Sequence, residues 1–67
     1  MDREKISAIL RELREKKGET QQEVADALGI SVSAVNAYEN GERIPRDEVK
    51  IALARYFNKP VQKIFFT

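Results

Sequence analysis

The chain has 67 residues, of which 42% are apolar and 34% are charged, and its formal net charge is +1. This size and composition favour one globular domain over residues 1–67 rather than a disordered segment. The chain contains no Cys and no His, which excludes disulfides and removes the commonest general base and metal ligand. No signal peptide or membrane-length apolar run is present. We therefore expect a cytoplasmic protein that is not an enzyme and has no metal, cofactor, membrane or small-molecule ligand as a partner.

The first predicted helix follows from the spacing of its apolar residues. Its stripe consists of Ile6, Ile9, Leu10 and Leu13. This i, i+3, i+4, i+7 spacing is typical of one face of an amphipathic helix of about three turns. Lys16 and Lys17 suit the negative end of the helix dipole, and Gly18 predicts the end of the helix.

Capping signals delimit two short helices in the middle of the chain. Thr20 and Glu23 form a capping-box pattern, which predicts that helix 2 begins at Gln21. Gly29 predicts the end of helix 2, because it tolerates a left-handed backbone. Ser31 is a favourable N-cap and predicts that helix 3 starts at the next residue.

Residues 20–41 also meet the packing requirements of a helix-turn-helix. Ala25 provides the small residue that is needed where two helices cross, and Gly29 provides the turn. The apolar residues that hold this corner to the core are Val24, Leu28, Ile30, Val35 and Tyr38. Counted from Gln21, all of them fall at the positions that the pattern requires.

Two further helices complete the predicted fold. Helix 4 is expected from Asp47 to about Phe57. Its buried face is predicted to be Leu53, Ala54 and Phe57, flanked by Val49, Ile51 or Tyr56. A last short helix is indicated by Val61, Ile64 and Phe65. No strand is indicated, so the predicted class is an all-α, compact five-helix domain.

These features together resemble the XRE family of bacterial transcription regulators, which includes phage repressors and Cro-like proteins. The matching segments are Leu13–Glu15, Thr20–Ala25, Leu28–Ser31, Tyr38–Gly41 and Pro45. The resemblance extends from about Ile6 to Phe65 and implies a lambda-repressor-like fold. Asp47 and Lys50 depart from it, since relatives often have apolar residues there, and this leaves the start of helix 4 open.

The resemblance also implies base-reading residues on helix 3, which would lie in the major groove. The family positions fall on Val32, Ser33 and Ala37, with Asn36 close by. Val32 and Ala37 suit thymine methyl groups, and Ser33 can donate or accept a hydrogen bond. Asn36 suits either a paired contact to adenine or a phosphate.

Contacts to the DNA backbone are implied on either side of helix 3. Gln21 matches a phosphate-binding residue at the start of helix 2, where free N–H groups favour anions. Asn40 and Gly41 match a second phosphate-binding corner. Arg43 and Arg46 follow, either as backbone or minor-groove contacts or as ordinary solvated side chains.

A structural ion pair between Arg14 and Glu39 is implied as well, which would fix helix 3 against helix 1. The implied function is a sequence-specific DNA-binding transcriptional regulator. It is expected to act as a repressor that binds a palindromic operator in double-stranded DNA as a homodimer. Helices 4–5 or the C-terminal tail, with Phe66 as the candidate contact, would form the dimer. Residues 20–41 contain no Lys or Arg, which keeps an alternative open: a protein-interaction module, antitoxin-like or an anti-regulator domain, with the same fold.

Overall fold

The structure is a computed structural model that describes all residues from Met1 to Thr67. The helices are α1 Arg3–Lys16, α2 Gln21–Leu28, α3 Val32–Glu39, α4 Asp47–Tyr56 and α5 Val61–Phe65. The predicted all-α, five-helix class is confirmed, and the chain contains no strand.

The predicted caps account for the starts of α2 and α3. The Thr20 hydroxyl accepts a hydrogen bond from the Glu23 N–H at 3.1 Å, and the Glu23 carboxylate accepts one from the Thr20 N–H at 2.8 Å. This reciprocal pair is a complete capping box. At the start of α3, the Ser31 hydroxyl accepts from the Ala34 N–H at 3.1 Å. Both helices therefore begin where the predictions placed them.

All five helices contribute to one apolar core. Its buried residues are Ile6, Leu10, Val24, Ala25, Ala34, Val35, Tyr38, Leu53, Ala54, Ile64 and Phe65. Ile9 and Leu13 are partly buried against it, as the stripe on α1 predicted. The α2–α3 corner is thus held from behind by α1, α4 and α5, and one face of α3 remains outside.

The fourth helix differs from the prediction at three residues. It ends at Tyr56, and Phe57 is its half-buried C-cap. Ile51 is exposed, whereas Lys50 is buried. The reason is the helical period, since residue 50 lies one turn before Leu53 on the same stripe. The aliphatic stem of a lysine can cover apolar surface while its ammonium reaches out, and α4 begins at Asp47 without a break.

The end of α4 is tied to the α1–α2 loop by a side-chain contact. The Tyr56 hydroxyl donates a hydrogen bond to the Glu19 carboxylate. The ammonium of Lys17 lies 4.8 Å from the centroid of the Tyr56 ring. This contact links two ends of the core that are far apart in sequence.

The Tyr56 contact should be lost at alkaline pH. The hydrogen bond to Glu19 raises the pKa of Tyr56 from 10.0 to about 12, helped by desolvation and by the charges of Glu19 and Glu23. A raised pKa means that folding favours the neutral phenol, so this stabilisation is complete below pH 10 and is lost as the pH rises through about 12. An ultraviolet titration should show one late-ionising tyrosine, and that step should vanish in Tyr56→Phe. A late step that persists in the variant would contradict the assignment.

Candidate nucleic-acid interface

The angle between α2 and α3 is set by one left-handed residue and a buried alanine. Gly29 has a φ of 67°, a backbone conformation that disfavours any residue with a Cβ atom. The N–H of Ile30 donates to the carbonyl of Ala25 at 3.0 Å. Ala25 is completely buried, and its small side chain allows α2 and α3 to pack directly against each other. These contacts together set the direction in which α3 leaves the turn.

The outer face of α3 consists of three exposed residues. Val32 is 39% exposed, and Ser33 and Asn36 are exposed beside it. These three residues lie at i, i+1 and i+4, so they share one side of the helix. The side chains on the opposite side are buried in the core. Three of the sequence-predicted base contacts are thus brought together on one exposed surface.

Ala37 differs from the other candidate base contacts because it is only 8% exposed. The chain after α3 turns back over this residue. The N–H groups of Glu42 and Arg43 both donate to the Ala37 carbonyl, at 2.9 and 3.4 Å. Ala37 is thus largely buried, and its role as a base contact stays a prediction.

The three polar candidates Gln21, Asn36 and Asn40 are hydrogen-bonded to one another. The Asn36 amide donates to the Gln21 side-chain oxygen at 3.2 Å. The Asn40 amide donates to the Asn36 side-chain oxygen at 2.9 Å. Sequence reasoning placed these residues near DNA but missed their contact with each other.

Arg14 and Glu39 form an ion pair at the boundary between α1 and α3. Arg14 Nε lies 2.7 Å from Glu39 Oε2, and Arg14 Nη2 lies 3.0 Å from Oε1. The hydrogen bond to Glu39 is the main cause of the raised pKa of Arg14, with desolvation acting in the opposite direction. Only 4% of the Glu39 side chain is exposed. The pair is therefore bidentate and shielded on its acidic side.

Two further donors to Glu39 were missed by sequence reasoning. Gln21 Nε2 donates to Glu39 Oε1 at 3.1 Å. Arg11 Nη2 donates to the Glu39 backbone carbonyl at 2.7 Å. The position of Arg11, one helical turn before Arg14, was a signal that could have indicated the second contact.

Positive charge lies beside α3 rather than on it. Arg43 and Arg46 are both exposed and follow the C-terminal end of α3. The Arg43 guanidinium lies 5.5 Å from the centroid of the Tyr38 ring. Gly41 is half-buried, with a φ of 73°.

The acidic residues of α2 are engaged with neighbouring polar groups. Glu23 accepts the capping-box hydrogen bond, and Asp26 accepts one from the Gln22 amide at 2.8 Å. With Glu39 paired to Arg14 as well, each acid of residues 20–41 has a donor within the chain. Of these three acids, only Glu39 has a cation as its partner.

A second exposed apolar area lies between α4 and α5. Phe66 is 57% exposed and Ile51 is 49% exposed. Together with Val61 and Lys50 they line a groove of about 250 Å³. The Lys50 ammonium lies 5.6 Å from the centroid of the Phe66 ring.

No helix in the structure has the length and apolarity that crossing a membrane requires.

Comparison with known proteins identifies the class of this fold. The helix-turn-helix family model matches residues 10–64. The chain is 44% identical over 54 residues, or 81% of its length, to a Pyrococcus furiosus protein provisionally named as an HTH-type transcriptional regulatory protein, of which it covers 17%. It is 31% identical over 59 residues to RstR, the transcriptional repressor of the cryptic phage CTXphi from Vibrio cholerae, covering 88% of this chain and 53% of that protein.

The chain thus spans about half or less of the length of these curated relatives. No solved structure is significantly similar to it. The family match nevertheless covers most of the chain, and the chain belongs to the XRE-type helix-turn-helix family. This family comprises DNA-binding transcription regulators and is not a class of enzymes. The family resemblance is therefore confirmed.

Proposed function

We propose that this protein represses transcription by binding a palindromic operator as a homodimer, with α3 of each copy in the major groove. The observation that carries the proposal is the exposed face of α3, where Val32 and Ser33 project from a helix whose other side is buried. A helix with a short exposed face at its N-terminal half suits contacts to base edges in the major groove, which is wide enough to admit an α-helix. The name of the related phage protein, a transcriptional repressor, favours repression over activation.

The DNA backbone would be bound by groups on both sides of α3. Gln21 lies at the start of α2, where unpaired N–H groups and the helix dipole favour a phosphate. Asn40 and Gly41 lie at the other end, followed by the exposed cations Arg43 and Arg46. Because residues 20–41 supply no cation of their own, a single copy would bind weakly, and a second copy would supply the remaining affinity.

The dimer would form through the groove between α4 and α5. Ile51 and Phe66 are exposed apolar side chains that line the same groove. Exposed apolar residues that lie together favour an interaction surface, whereas single ones do not. A contact between two copies at this surface would leave α3 of each copy unobstructed. Half-sites would then be about one helical turn, 10–10.5 base pairs, apart.

Selection of binding sites from random duplex DNA tests this function. We expect an enriched palindromic motif, and anisotropy with the selected duplex should show affinity that falls as salt rises. Ser33→Ala should weaken binding to the selected duplex about fivefold, the value of one ordinary hydrogen bond. Gln62→Ala, which alters an exposed residue on α5, is the matched control and should bind normally.

The same selection also separates the two functional classes. The absence of an enriched motif, or binding without salt dependence, would contradict the DNA-binding proposal. That outcome would favour a module that uses this fold to bind a protein.

A further inference from the structure

The hydrogen bonds among Gln21, Asn36 and Asn40 form a row that ends on a buried carboxylate. We call these three residues the amide row. Glu39 accepts from Gln21, the oxygen of Gln21 accepts from Asn36, and the oxygen of Asn36 accepts from Asn40. The NH₂ group of each amide therefore donates to the neighbour that lies nearer to Glu39 in the row.

Glu39 fixes the direction of the entire row. Glu39 is a carboxylate paired with Arg14, and a carboxylate can only accept hydrogen bonds. Gln21 must therefore turn its NH₂ group towards Glu39 and its oxygen towards Asn36. Asn36 must then donate to that oxygen, which leaves its own oxygen for Asn40. Rotating any one amide by half a turn would place two acceptors or two donors face to face.

The fixed direction determines what the row offers to a ligand. Each NH₂ group carries two hydrogens, and the row uses one of them, so one N–H per amide remains available. The oxygens of Gln21 and Asn36 are both already accepting. Asn36 and Asn40 are exposed and Gln21 is half-buried, so the available groups are N–H donors at the edge of α3. Donors in a row match phosphate oxygens, which only accept.

We propose that Glu39 is a positioning residue that orients the amide row as an uncharged binding site for DNA phosphates, and that Asn36 is therefore a backbone contact rather than a base reader. A paired contact to adenine uses the N–H and the oxygen of one amide together. The Asn36 oxygen already accepts from Asn40, so an adenine would have to share that oxygen through its second lone pair, whereas a phosphate needs only the N–H. The inference rests on the proposed function, in which α3 faces DNA. It explains how a segment without Lys or Arg holds the backbone.

Binding of Asn36→Ala to two duplexes tests the assignment of Asn36. A phosphate contact predicts that affinity falls several-fold, and equally, for the selected duplex and for a random duplex. The slope of affinity against salt should not change, because a neutral donor displaces no counterion. Ser33→Ala is the matched comparison, since it should weaken only the selected duplex. A loss for Asn36→Ala that is confined to the selected duplex would overturn the assignment.

The direction of the row can be tested without DNA. In Asn36→Asp, the new carboxylate faces the Gln21 side-chain oxygen, so two acceptors meet. If the Gln21 amide rotated to relieve this contact, its oxygen would face the Glu39 carboxylate instead. We expect Asn36→Asp to lower the melting temperature by about 4–8 °C more in the wild-type background than in a Gln21→Ala background. Charge repulsion between the new aspartate and Glu39 is present in both backgrounds, so it cancels when the two melting-temperature shifts are compared.

The two measurements fail in different ways. Equal melting shifts in both backgrounds would show that Glu39 does not fix the row, whatever the protein binds. Failure to select any DNA motif would instead contradict the proposed function, while the melting comparison would still decide the orientation of the row.

Discussion

Replacing Arg14 with alanine should lower the free energy of unfolding by about 3–5 kcal/mol. Glu39 is only 3% exposed, and removing Arg14 leaves its carboxylate without the cation that pairs with it. We expect the lower half of this range, because Gln21 still donates to the same carboxylate. In a domain of this size each kcal/mol lowers the melting temperature by about 4–8 °C. Thermal and urea unfolding followed by circular dichroism would measure the loss.

Two variants control for the loss of an arginine and for the loss of the pair. Arg11→Ala removes a guanidinium from the same helix, but one that bonds the neutral backbone carbonyl of Glu39, and should cost about 1 kcal/mol. Replacing both partners, Arg14→Met with Glu39→Leu, should recover most of the stability, since no buried charge remains.

The role of Arg14 is structural, so its variant should keep the base preference of the wild type. Repeating the random-DNA selection below the melting temperature of Arg14→Ala should return the same motif. An unchanged melting temperature, or a changed motif in a folded variant, would contradict this role.

The starts of the helices could be predicted from the sequence because they depend on neighbouring residues. Thr20 and Glu23 are three residues apart, and their reciprocal hydrogen bonds are possible in only one local conformation. Gly29 acts equally locally, through its own backbone. Ala25 could be predicted as the small residue at the helix crossing, because the helical period places it on the inner face of α2. Such signals need no knowledge of the rest of the fold.

The details of the candidate site could not be predicted because they depend on residues that are distant in sequence. The Ala37 carbonyl accepts hydrogen bonds from a turn whose path depends on residues after α3. Lys50 is buried because the helical period takes precedence over its charge, and Phe66 lies beside its ammonium. The Gln21–Glu39 contact joins residues 18 positions apart. The family resemblance predicts a phosphate contact for Gln21, but only the fold shows which way its amide faces.

Replacing Phe65 with alanine should cost about 3–5 kcal/mol, the usual loss for a fully buried aromatic residue. Phe65 and Ile64 are both completely buried. α5 has only five residues and no side-chain cap at its N-terminus, so its helical structure depends on burial rather than on intrinsic propensity. The variant should therefore release α5 from α1 and α4, and unfolding in urea would show the lower stability.

Phe66 is the natural control, since it is the same residue type one position later and is 57% exposed. Phe66→Ser loses the contact with the Lys50 ammonium and part of the lining of the groove, and should cost about 1 kcal/mol, far less than Phe65→Ala. If the groove between α4 and α5 joins two copies, sedimentation of this variant should show a smaller dimer fraction than the wild type. Equal dimer fractions would exclude Phe66 from the interface. Adjacent phenylalanines would thus separate the two uses of the C-terminal segment, one side chain closing the core and the other joining two copies.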